Sequence, residues 1–342
     1  MEGSRFSFSR DRPLHWGVIG CGAVCEVKSV PAYQATPGFD VGMIMGRQGE
    51  KVSDFANRHG IPRWTILAEE LIMDPQIDAV YIATPPDSHA QYAIQVAQAG
   101  KICCIEKPMA IDYGEALSIH RAFESRNIPL FVSYYRRSLP RFLKVKSWLD
   151  QGHIGVVHSV NWIKGRPASA RDLDGSYQWR TDIRVAPGGY FDDLGSHGLD
   201  LFTFLLGDII MASGSVRNDR GLYTAPDSVQ GEWVHRSGVK GTGHWDFVAD
   251  GREDRVEIGG SRGSIRFAVL DEAPLILDSD LLRERVEVPH PPHVQSFHVG
   301  NIKSHLLGES IHPSTGFNAL RTQQVMDQIL NGPGKASIGN DH

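Results

Sequence analysis

The stretch Trp16–Cys25, which reads WGVIGCGAVC, decides the fold of the chain. A short apolar run ends there at Gly20, and a segment with helical character follows. In a dinucleotide-binding turn, the first glycine allows a tight bend. The second, here Gly22, lets the backbone approach a pyrophosphate at the helix N-terminus. The residues expected at such a cofactor are Gly20, Gly22, Ala23 and Val24.

Strand and helix signals alternate along the first third of the chain. Four further apolar runs are separated by helical segments, and they cover residues 41–45, 79–83, 101–105 and 130–133. Strands spaced by helices at this interval predict βαβ units in a parallel, doubly wound α/β sheet. Within that pattern the glycine turn favours a dinucleotide site over an ordinary turn. Cys25 departs from the fingerprint, because its third position usually holds glycine or alanine.

The pattern changes after about residue 135. Short β runs separated by Gly, Asp and Pro extend from Ile210 to Val288, with little helix between them. This predicts one open, mainly antiparallel sheet. We therefore expect a Rossmann domain over residues 1–135 and an α/β domain over residues 136–342. The last amphipathic helix, near residues 317–330, is a candidate to pack back on the first domain.

Composition narrows the class of protein. The 342 residues carry a net charge of -5 at pH 7 and no block of basic residues, which argues against nucleic acid or an anionic membrane as partner. No stretch reaches the roughly 18 apolar residues of a spanning helix, and Met1–His15 lacks the apolar run of a secretory signal. The four cysteines form no CxxC pair, so we expect a reduced, cytoplasmic protein. The histidines between residues 290 and 312 fit no compact ligand set, so no metal site is predicted.

The end of the second strand bears on the choice of cofactor. Enzymes that use NAD usually place an Asp or Glu there to bind the ribose hydroxyls, whereas this chain has Gly46 followed by Arg47. An arginine binds a 2′-phosphate and stacks on adenine. We therefore expect NADP to be preferred over NAD. The alternative is that Arg47 is an ordinary solvated loop residue.

A lysine follows the run at 101–105. Glu106-Lys107-Pro108 stands at the carboxyl end of the predicted sheet, where ligands of such folds bind. Burial and nearby positive charge lower the pKa of a lysine, which can then transfer a hydroxyl proton near neutral pH. Glu106 either orients Lys107 or contacts the cofactor. Taken alone, such a tripeptide is more often a surface turn.

A second polar string lies at residues 188–200. Two glycines precede a predicted helix over residues 192–206. The titratable residues that recur on one stripe of this helix are Asp193, His197 and Asp200. Three such groups beside apolar positions are costly without partners, so we expect a proton-handling site. The alternative is an acidic helix N-terminus followed by a core histidine.

The order of these motifs resembles the glucose-fructose oxidoreductase, inositol dehydrogenase and rhizopine-catabolism (Gfo/Idh/MocA) family of NAD(P)-dependent oxidoreductases. The likeness covers roughly residues 14–330. The motifs that carry it are the early glycine turn, Thr84-Pro85-Pro86 with His89, Glu106-Lys107-Pro108, Tyr135-Arg136-Arg137, and GGxxxDxGxHxxD at 188–200. Two of these motifs, EKP at 106–108 and GGxxxDxGxHxxD at 188–200, are specific to the family when they occur together.

The resemblance implies roles for these residues. Lys107, Asp193 and His197 form the catalytic set: His197 or Lys107 takes the hydroxyl proton while hydride passes to the nicotinamide. Asp193 orients the imidazole or supports a protonated lysine. The remaining residues expected at the cofactor are Gly46, Arg47, Thr84, Pro85, Pro86, His89, Glu106 and Lys107. Position in the chain, rather than the resemblance, predicts the substrate contacts. Tyr135 and Arg136 follow the last parallel strand, and Trp179 and Arg180 lie in the loop before the glycine pair, where a plain surface loop is the alternative.

The resemblance also implies a Rossmann domain followed by a substrate-binding domain whose open sheet forms homodimers or homotetramers. The expected activity interconverts a secondary alcohol and a ketone on a sugar, polyol or related cyclic alcohol. Three other functions stay open: an NAD-dependent glycosidase that returns the hydride to its product, a dihydrodiol dehydrogenase-like enzyme, and a non-catalytic sugar sensor. Net reduction of NAD(P) favours the dehydrogenase over the glycosidase, and the intact proton-transfer set argues against the sensor.

Overall fold

The computed structural model describes residues 12–332. Most of the segment that was expected to precede the first strand, residues 1–11, therefore lies outside the described residues, as do residues 333–342. The described chain divides into two compact units. The first comprises residues 12–110, 114–139 and 290–320, and the second comprises residues 111–113, 140–289 and 321–332. Between residues 12 and 332, no helix is both long and apolar enough to cross a membrane.

Strands and helices alternate up to about residue 150, and strands predominate from there to residue 286. The strands are β1 (Leu14–Ile19), β2 (Phe39–Met45), β3 (Trp64–Thr65), β4 (Ala79–Ile82), β5 (Ile102–Ile105), β6 (Leu130–Val132), β7 (Val157–Gly165), β8 (Ile209–Arg217), β9 (Ser228–His235), β10 (Lys240–Asp246), β11 (Glu253–Gly260), β12 (Gly263–Phe267), β13 (Leu275–Ser279) and β14 (Arg283–Val286). The helices are α1 (Val30–Ala35), α2 (Gly49–His59), α3 (Ala68–Met73), α4 (His89–Gln98), α5 (Tyr113–Glu124), α6 (Pro140–Asp150), α7 (Ala170–Leu173), α8 (Ser196–Leu206), α9 (Ser296–Leu306) and α10 (Gly316–Asn331).

The first unit is built on a parallel sheet with the strand order β3-β2-β1-β4-β5-β6. Two of its interior strands, β4 and β5, are buried at every residue, as expected where helices cover both faces of such a sheet. Trp16 on β1 is fully buried, and its ring lies 4.6 Å from that of Tyr33 on α1 and 5.6 Å from that of Phe39 on β2. The predicted parallel, doubly wound sheet is confirmed.

A segment late in the sequence completes this unit. Val299 and Ile302 on α9 are fully buried in the same apolar cluster as Trp16. Farther along, the hydroxyl of Ser314 donates to the carbonyl oxygen of Val132 on β6, at 2.8 Å. The segment 290–320 therefore supplies core side chains and an edge contact to a sheet whose strands all precede residue 133.

The second unit contains an eight-stranded sheet in the order β14-β13-β12-β11-β7-β10-β9-β8. Every pairing is antiparallel except that of β7 with β10, which confirms the predicted open, mainly antiparallel sheet. Helix α8 packs closely against it, because a Cβ at Gly198 would lie 2.2 Å from the ring of Trp162. The rings of Trp162 and Phe202 then meet edge to face at 5.8 Å.

Two helices begin with π-helical turns that the sequence pattern did not predict. One covers Cys25–Ser29 before α1, and the other covers Phe191–Gly195 before α8. The predicted helix over residues 192–206 therefore starts with a wider turn, in which the N–H of Ser196 donates to the carbonyl of Phe191. A Cβ at Gly195 would lie 2.4 Å from the Phe191 ring, so a glycine is needed where this ring folds back. Turns of this kind are frequent at functional sites.

Candidate active site

The glycine turn after β1 has the geometry that a pyrophosphate requires. Gly20 has a φ of +113°, and a Cβ there would lie 2.8 Å from the carbonyl oxygen of Ala83. Among residues 12–332, apart from the two chain neighbours of Gly22, no atom lies within 4 Å of a Cβ built on Gly22, so the turn faces open space on that side. The thiol of Cys25 is buried and donates to the carbonyl oxygen of Gly20, at 3.2 Å. Cys25, which departs from the fingerprint, therefore forms a hydrogen bond on the inner side of the turn. The outer side stays accessible to a dinucleotide.

The turn after β2 explains why the chain lacks an acidic residue at Gly46. A Cβ at this position would lie 2.7 Å from the sulfur of Cys21 and 2.9 Å from Cβ of Val52. No side chain larger than hydrogen fits without a shift of these neighbours. The next residue, Arg47, is exposed, and within residues 12–332 its guanidinium forms no hydrogen bond or ion pair.

His89 connects two loops at the carboxyl end of the parallel sheet. Its ring is fully buried, with Nδ1 3.0 Å from the carbonyl oxygen of Pro108 and Nε2 2.8 Å from that of Thr84. A neutral ring donates to only one of the two oxygens, and burial lowers the pKa of His89. The nearby hydroxyl of Ser88 donates to Oγ1 of Thr84 at 2.8 Å. The ring therefore braces the Thr84-Pro85-Pro86 turn from inside the unit.

Glu106 is a buried acceptor of three hydrogen bonds. Its Oε1 accepts from the hydroxyl of Tyr81 on β4 at 2.6 Å and from Nε2 of Gln295 at 2.6 Å. Its Oε2 accepts from the backbone N–H of Lys107 at 3.2 Å. Lys107 itself is half-buried directly after β5, and the peptide bond between Lys107 and Pro108 is cis. The carboxylate therefore fixes the backbone from which the lysine projects.

The glycine pair before α8 makes room for a buried carboxylate. The N–H of Gly188 donates to Oδ2 of Asp192 at 2.8 Å, and a Cβ at Gly188 would lie 2.5 Å from Oδ1. Burial, above all, raises the pKa of Asp192 from 3.8 to about 7, and the carboxylates of Asp327 and Asp193 act in the same direction. Gly189 has a φ of +64°, a conformation that suits glycine.

Asp193 and His197 are both nearly buried on the second unit, at 8% and 4% exposure. Oδ2 of Asp193 accepts a hydrogen bond from Nε of Arg180 at 2.5 Å. Asp193 lies in the π-helical turn, whereas His197 lies in the first turn of α8. Asp200, the third member of the stripe, is fully buried and accepts from Oγ1 of Thr322 at 3.2 Å.

The residues predicted to contact substrate fall into two environments. Tyr135 and Arg136 are buried, and the guanidinium of Arg136 lies 4.9 Å from the centre of the Tyr135 ring. Trp179 and Arg180 are half-exposed in a short turn, with the Arg180 guanidinium 4.3 Å from the centre of the Trp179 ring. Only the second pair offers side-chain surface in this structure.

The sequence analysis missed several residues that support the predicted site. Tyr81 and Gln295 hold Glu106, yet Gln295 lies 189 positions later in the chain. A glutamine in a segment without helical or strand periodicity gives no signal of such a contact. Asp192 was visible next to Asp193, but nothing in the sequence distinguished a buried carboxyl from a helix-capping one.

Comparisons with known proteins agree with this architecture. A family model described as "Oxidoreductase family, NAD-binding Rossmann fold" matches residues 14–134, and the GFO/IDH/MocA C-terminal domain matches residues 142–266. "Oxidoreductase P35" of Formosa agariphila is 36% identical over 92% of this chain and 97% of its own length. Inositol 2-dehydrogenase of Rhizobium meliloti is 31% identical over 61% of this chain and 62% of its own.

A solved structure supports the same fold. Levoglucosan dehydrogenase, in complex with NADH and levoglucosan, superposes with a TM-score of 0.80 at 24% identity, over 93% of this chain and 96% of that one. The models for both domains match, and a relative aligns over nearly the whole chain. The chain therefore belongs to the Gfo/Idh/MocA family of oxidoreductases, which have an NAD-binding Rossmann fold.

Proposed function

We propose that this oxidoreductase interconverts a secondary alcohol and a ketone on a sugar, polyol or related cyclic alcohol, and that it prefers NADP to NAD. The observation that carries the proposal is the Glu106-Lys107 turn after β5. Three hydrogen bonds hold its buried carboxylate, and its lysine projects from the carboxyl end of the parallel sheet. The likeness to an inositol 2-dehydrogenase supports a polyhydroxylated substrate.

In this mechanism the chain's own residues handle the proton. When bound, the nicotinamide accepts or gives the hydride. His197 takes the hydroxyl proton in the oxidative direction, because imidazole titrates nearest to neutral pH. Lys107, as an ammonium, donates hydrogen bonds to the reacting oxygen and stabilises the negative charge that develops there. Asp193 balances the positive charge that His197 takes up, and the contact with Arg180 supports its carrying a negative charge.

One predicted cofactor contact is reassigned in this proposal, and the predicted substrate contacts are reduced from four to two. His89 acts as a positioning residue for the Thr84 and Pro108 loops rather than as a contact of the cofactor, because its ring is fully buried. Glu106, Gly20, Gly22 and the following Ala23 and Val24 keep their place at the cofactor. Substrate contact is assigned to Trp179 and Arg180, whose side chains are half-exposed.

The preference for NADP rests on the turn after β2. The crowding at Gly46 excludes an acidic side chain that would bind the ribose hydroxyls, and Arg47 is exposed for a 2′-phosphate. A hydrogen bond between charged groups contributes roughly 1.5–3 kcal/mol. We therefore expect Arg47→Ala to lower kcat/KM for NADPH by about ten- to a hundredfold and to change kcat/KM for NADH little. Equal loss with both cofactors, or a wild type that favours NADH, contradicts the preference.

The role of Lys107 is tested by its replacement with methionine. Turnover should fall by about a hundred- to a thousandfold, since the group that stabilises charge at the reacting oxygen is lost. Binding of NADPH, followed by its fluorescence, should persist. Lys146→Met is the matched control, because Lys146 pairs with Asp150 on helix α6 and has no assigned role. Lys107→Met activity near that of the wild type on a panel of polyols and keto-sugars would refute the role. Cofactor binding without net redox on any substrate would favour the glycosidase or the sensor.

We also propose that copies of the chain associate through the eight-stranded sheet. Asn161 on β7 and Thr242 on β10 are exposed at the centre of that sheet, and their side chains are joined by a 2.7 Å hydrogen bond. Light scattering after size-exclusion chromatography should give the mass of a dimer or tetramer. A charge placed at Thr242, as in Thr242→Glu, should shift the mass toward that of a monomer. A wild type of monomer mass refutes the association.

A further inference from the structure

We infer that the substrate carries a second, uncharged sugar ring, and that this ring binds in a cavity between the loop at 171–184 and the turn at 222–224. The cavity has a volume of about 410 Å³ and lies wholly within the second unit. The inference rests on the proposed function, because it adds a subsite next to the residue that contacts Asp193. It predicts that glycosides, rather than free sugars or polyols, are the preferred substrates.

The first wall of the cavity is a loop fixed by one buried carboxylate. Asp172 accepts hydrogen bonds from the hydroxyl of Tyr190 at 2.7 Å, from Nη2 of Arg166 at 2.8 Å and from Nε2 of Gln178 at 3.0 Å. It also closes a capping box with Ser169 at the start of α7. A carboxylate with this many donors holds its loop in one conformation, so the wall is built before any ligand arrives.

The second wall is joined to the first by hydrogen bonds at the floor of the cavity. The hydroxyl of Thr224 donates to the carbonyl oxygen of Thr181 at 3.1 Å and accepts from the N–H of Ile183 at 3.1 Å. The N–H of Ala225 also donates to the carbonyl oxygen of Thr181, at 3.4 Å. Hydrogen bonds therefore connect the two walls directly.

The chemistry of the lining suits a sugar ring. Tyr177 presents an aromatic side chain that is 73% exposed, and such a face packs against the C–H groups of a pyranose. Asp182 and Arg184 form a two-point ion pair, with Nε and Nη2 of the arginine 2.9 Å and 2.7 Å from the two carboxylate oxygens. The pair holds both planar groups in place at the rim. Vicinal hydroxyls can then donate to the carboxylate and accept from the guanidinium.

The charge of the lining argues against a phosphorylated ligand. The lining contains two arginines, Arg171 and Arg184, and two carboxylates, Asp172 and Asp182, so the charges of the lining residues sum to zero. Asp182 raises the pKa of Arg184 and keeps the guanidinium committed to the pair. A nucleoside diphosphate would need an excess of positive charge to balance its own, so an uncharged ring fits better.

The position of the cavity links it to the chemistry. Thr181 lines the cavity, and the preceding residue, Arg180, contacts Asp193 through its guanidinium at 2.5 Å. We place the second ring against Thr181 and the reacting ring or polyol near Asp193, on the two sides of this turn. This is the arrangement that a glycoside with an oxidisable ring requires.

The test compares matched substrates and variants of exposed lining residues. The pairs are myo-inositol with galactinol, and D-glucose with cellobiose and with maltose. For a pair that the wild type turns over, kcat/KM should be at least tenfold higher for the glycoside, chiefly through KM. Tyr177→Ala and Arg184→Ala should each lower the ratio of glycoside to free substrate by about tenfold. Phe297→Ala, which removes an exposed aromatic side chain from α9 in the other unit, should leave the ratio unchanged.

Several outcomes would overturn the inference. Equal kcat/KM for both members of every pair would do so, as would a Tyr177→Ala ratio equal to that of Phe297→Ala. A preference for a UDP-sugar that is lost in Arg184→Ala would show a nucleotide site instead.

Saturation-transfer NMR with the same glycosides separates the subsite from the proposed function, because it needs no turnover. Binding that Tyr177→Ala abolishes supports the subsite even where no substrate is oxidised. No difference between that variant and Phe297→Ala in both assays refutes it.

Discussion

Replacement of Asp192 by asparagine should stabilise the protein, and should do so increasingly as the pH rises. The folded chain holds this carboxyl in a buried site that raises its pKa from 3.8 to about 7. Between these values the folded state retains a proton that the unfolded state has released, so the free energy of unfolding decreases with rising pH. Each whole step in pKa corresponds to about 1.4 kcal/mol. The cost of Asp192 therefore grows to about 4 kcal/mol above pH 7.

Asparagine retains an oxygen that can accept from the N–H of Gly188, as Oδ2 of Asp192 does now. The variant has no proton to lose, so its advantage over the wild type should grow by roughly 2–3 kcal/mol between pH 5 and pH 8. Urea midpoints measured by tryptophan fluorescence at both pH values report this difference. Asp150→Asn is the control, since that carboxylate is 60% exposed and should not change the pH dependence. An Asp192→Asn advantage that is absent, or equal at the two pH values, would refute the reasoning.

Two further predictions concern packing and protonation. Gly188→Ala should lower the free energy of unfolding by about 1–3 kcal/mol, because the new methyl would lie 2.5 Å from Oδ1 of Asp192 and 2.8 Å from Cδ1 of Leu330. Gly251→Ala, where no atom lies within 4 Å, is the control for urea unfolding, and equal losses would contradict the steric reason. Burial lowers the pKa of His312 from 6.5 to about 3, so its stabilising effect is complete above pH 6.5 and is lost as the pH falls toward 3. The stability advantage of the wild type over His312→Asn should therefore shrink by about 2 kcal/mol between pH 7 and pH 5, and an advantage that is constant or grows over that interval would contradict it.

The parts of the fold that the sequence predicted are those set by local pattern. The apolar run before Gly20 and the runs at residues 79–83 and 101–105 each form a strand because an interior strand of a parallel sheet is apolar on both faces. The antiparallel sheet was predictable for a similar reason, since its strands alternate and are divided by turn residues. The boundary near residue 135 stays a prediction, and no local pattern indicated that residues 290–320 group with the first unit.

Only the residues that belong to sequence motifs were predictable members of the candidate site. Lys107 and the 188–200 string stand next to glycines and strand ends, where local sequence carries the signal. The residues that hold these motifs in place carry no such local signal, because they act through contacts between distant positions, such as Gln295 with Glu106. The burial of His89 was missed for the same reason: its ring contacts the carbonyl oxygen of Pro108, which lies 19 positions later in the sequence. The π-helical turn before α8 depends on how the Phe191 ring meets Gly195, which no periodicity reveals.

The late segment of the first unit has a consequence for the synthesis of the protein. The six parallel strands leave the ribosome before α9 has been translated. All eight strands of the second sheet are translated between β6 and α9. Until residue 320 has left the exit tunnel, the nascent Rossmann unit lacks Val299 and Ile302 in its core and lacks the amide that holds Glu106. A stalled or truncated chain would therefore expose apolar surface beside Trp16 and depend on chaperones, so the nucleotide-binding half cannot complete its core until long after its own strands have been made.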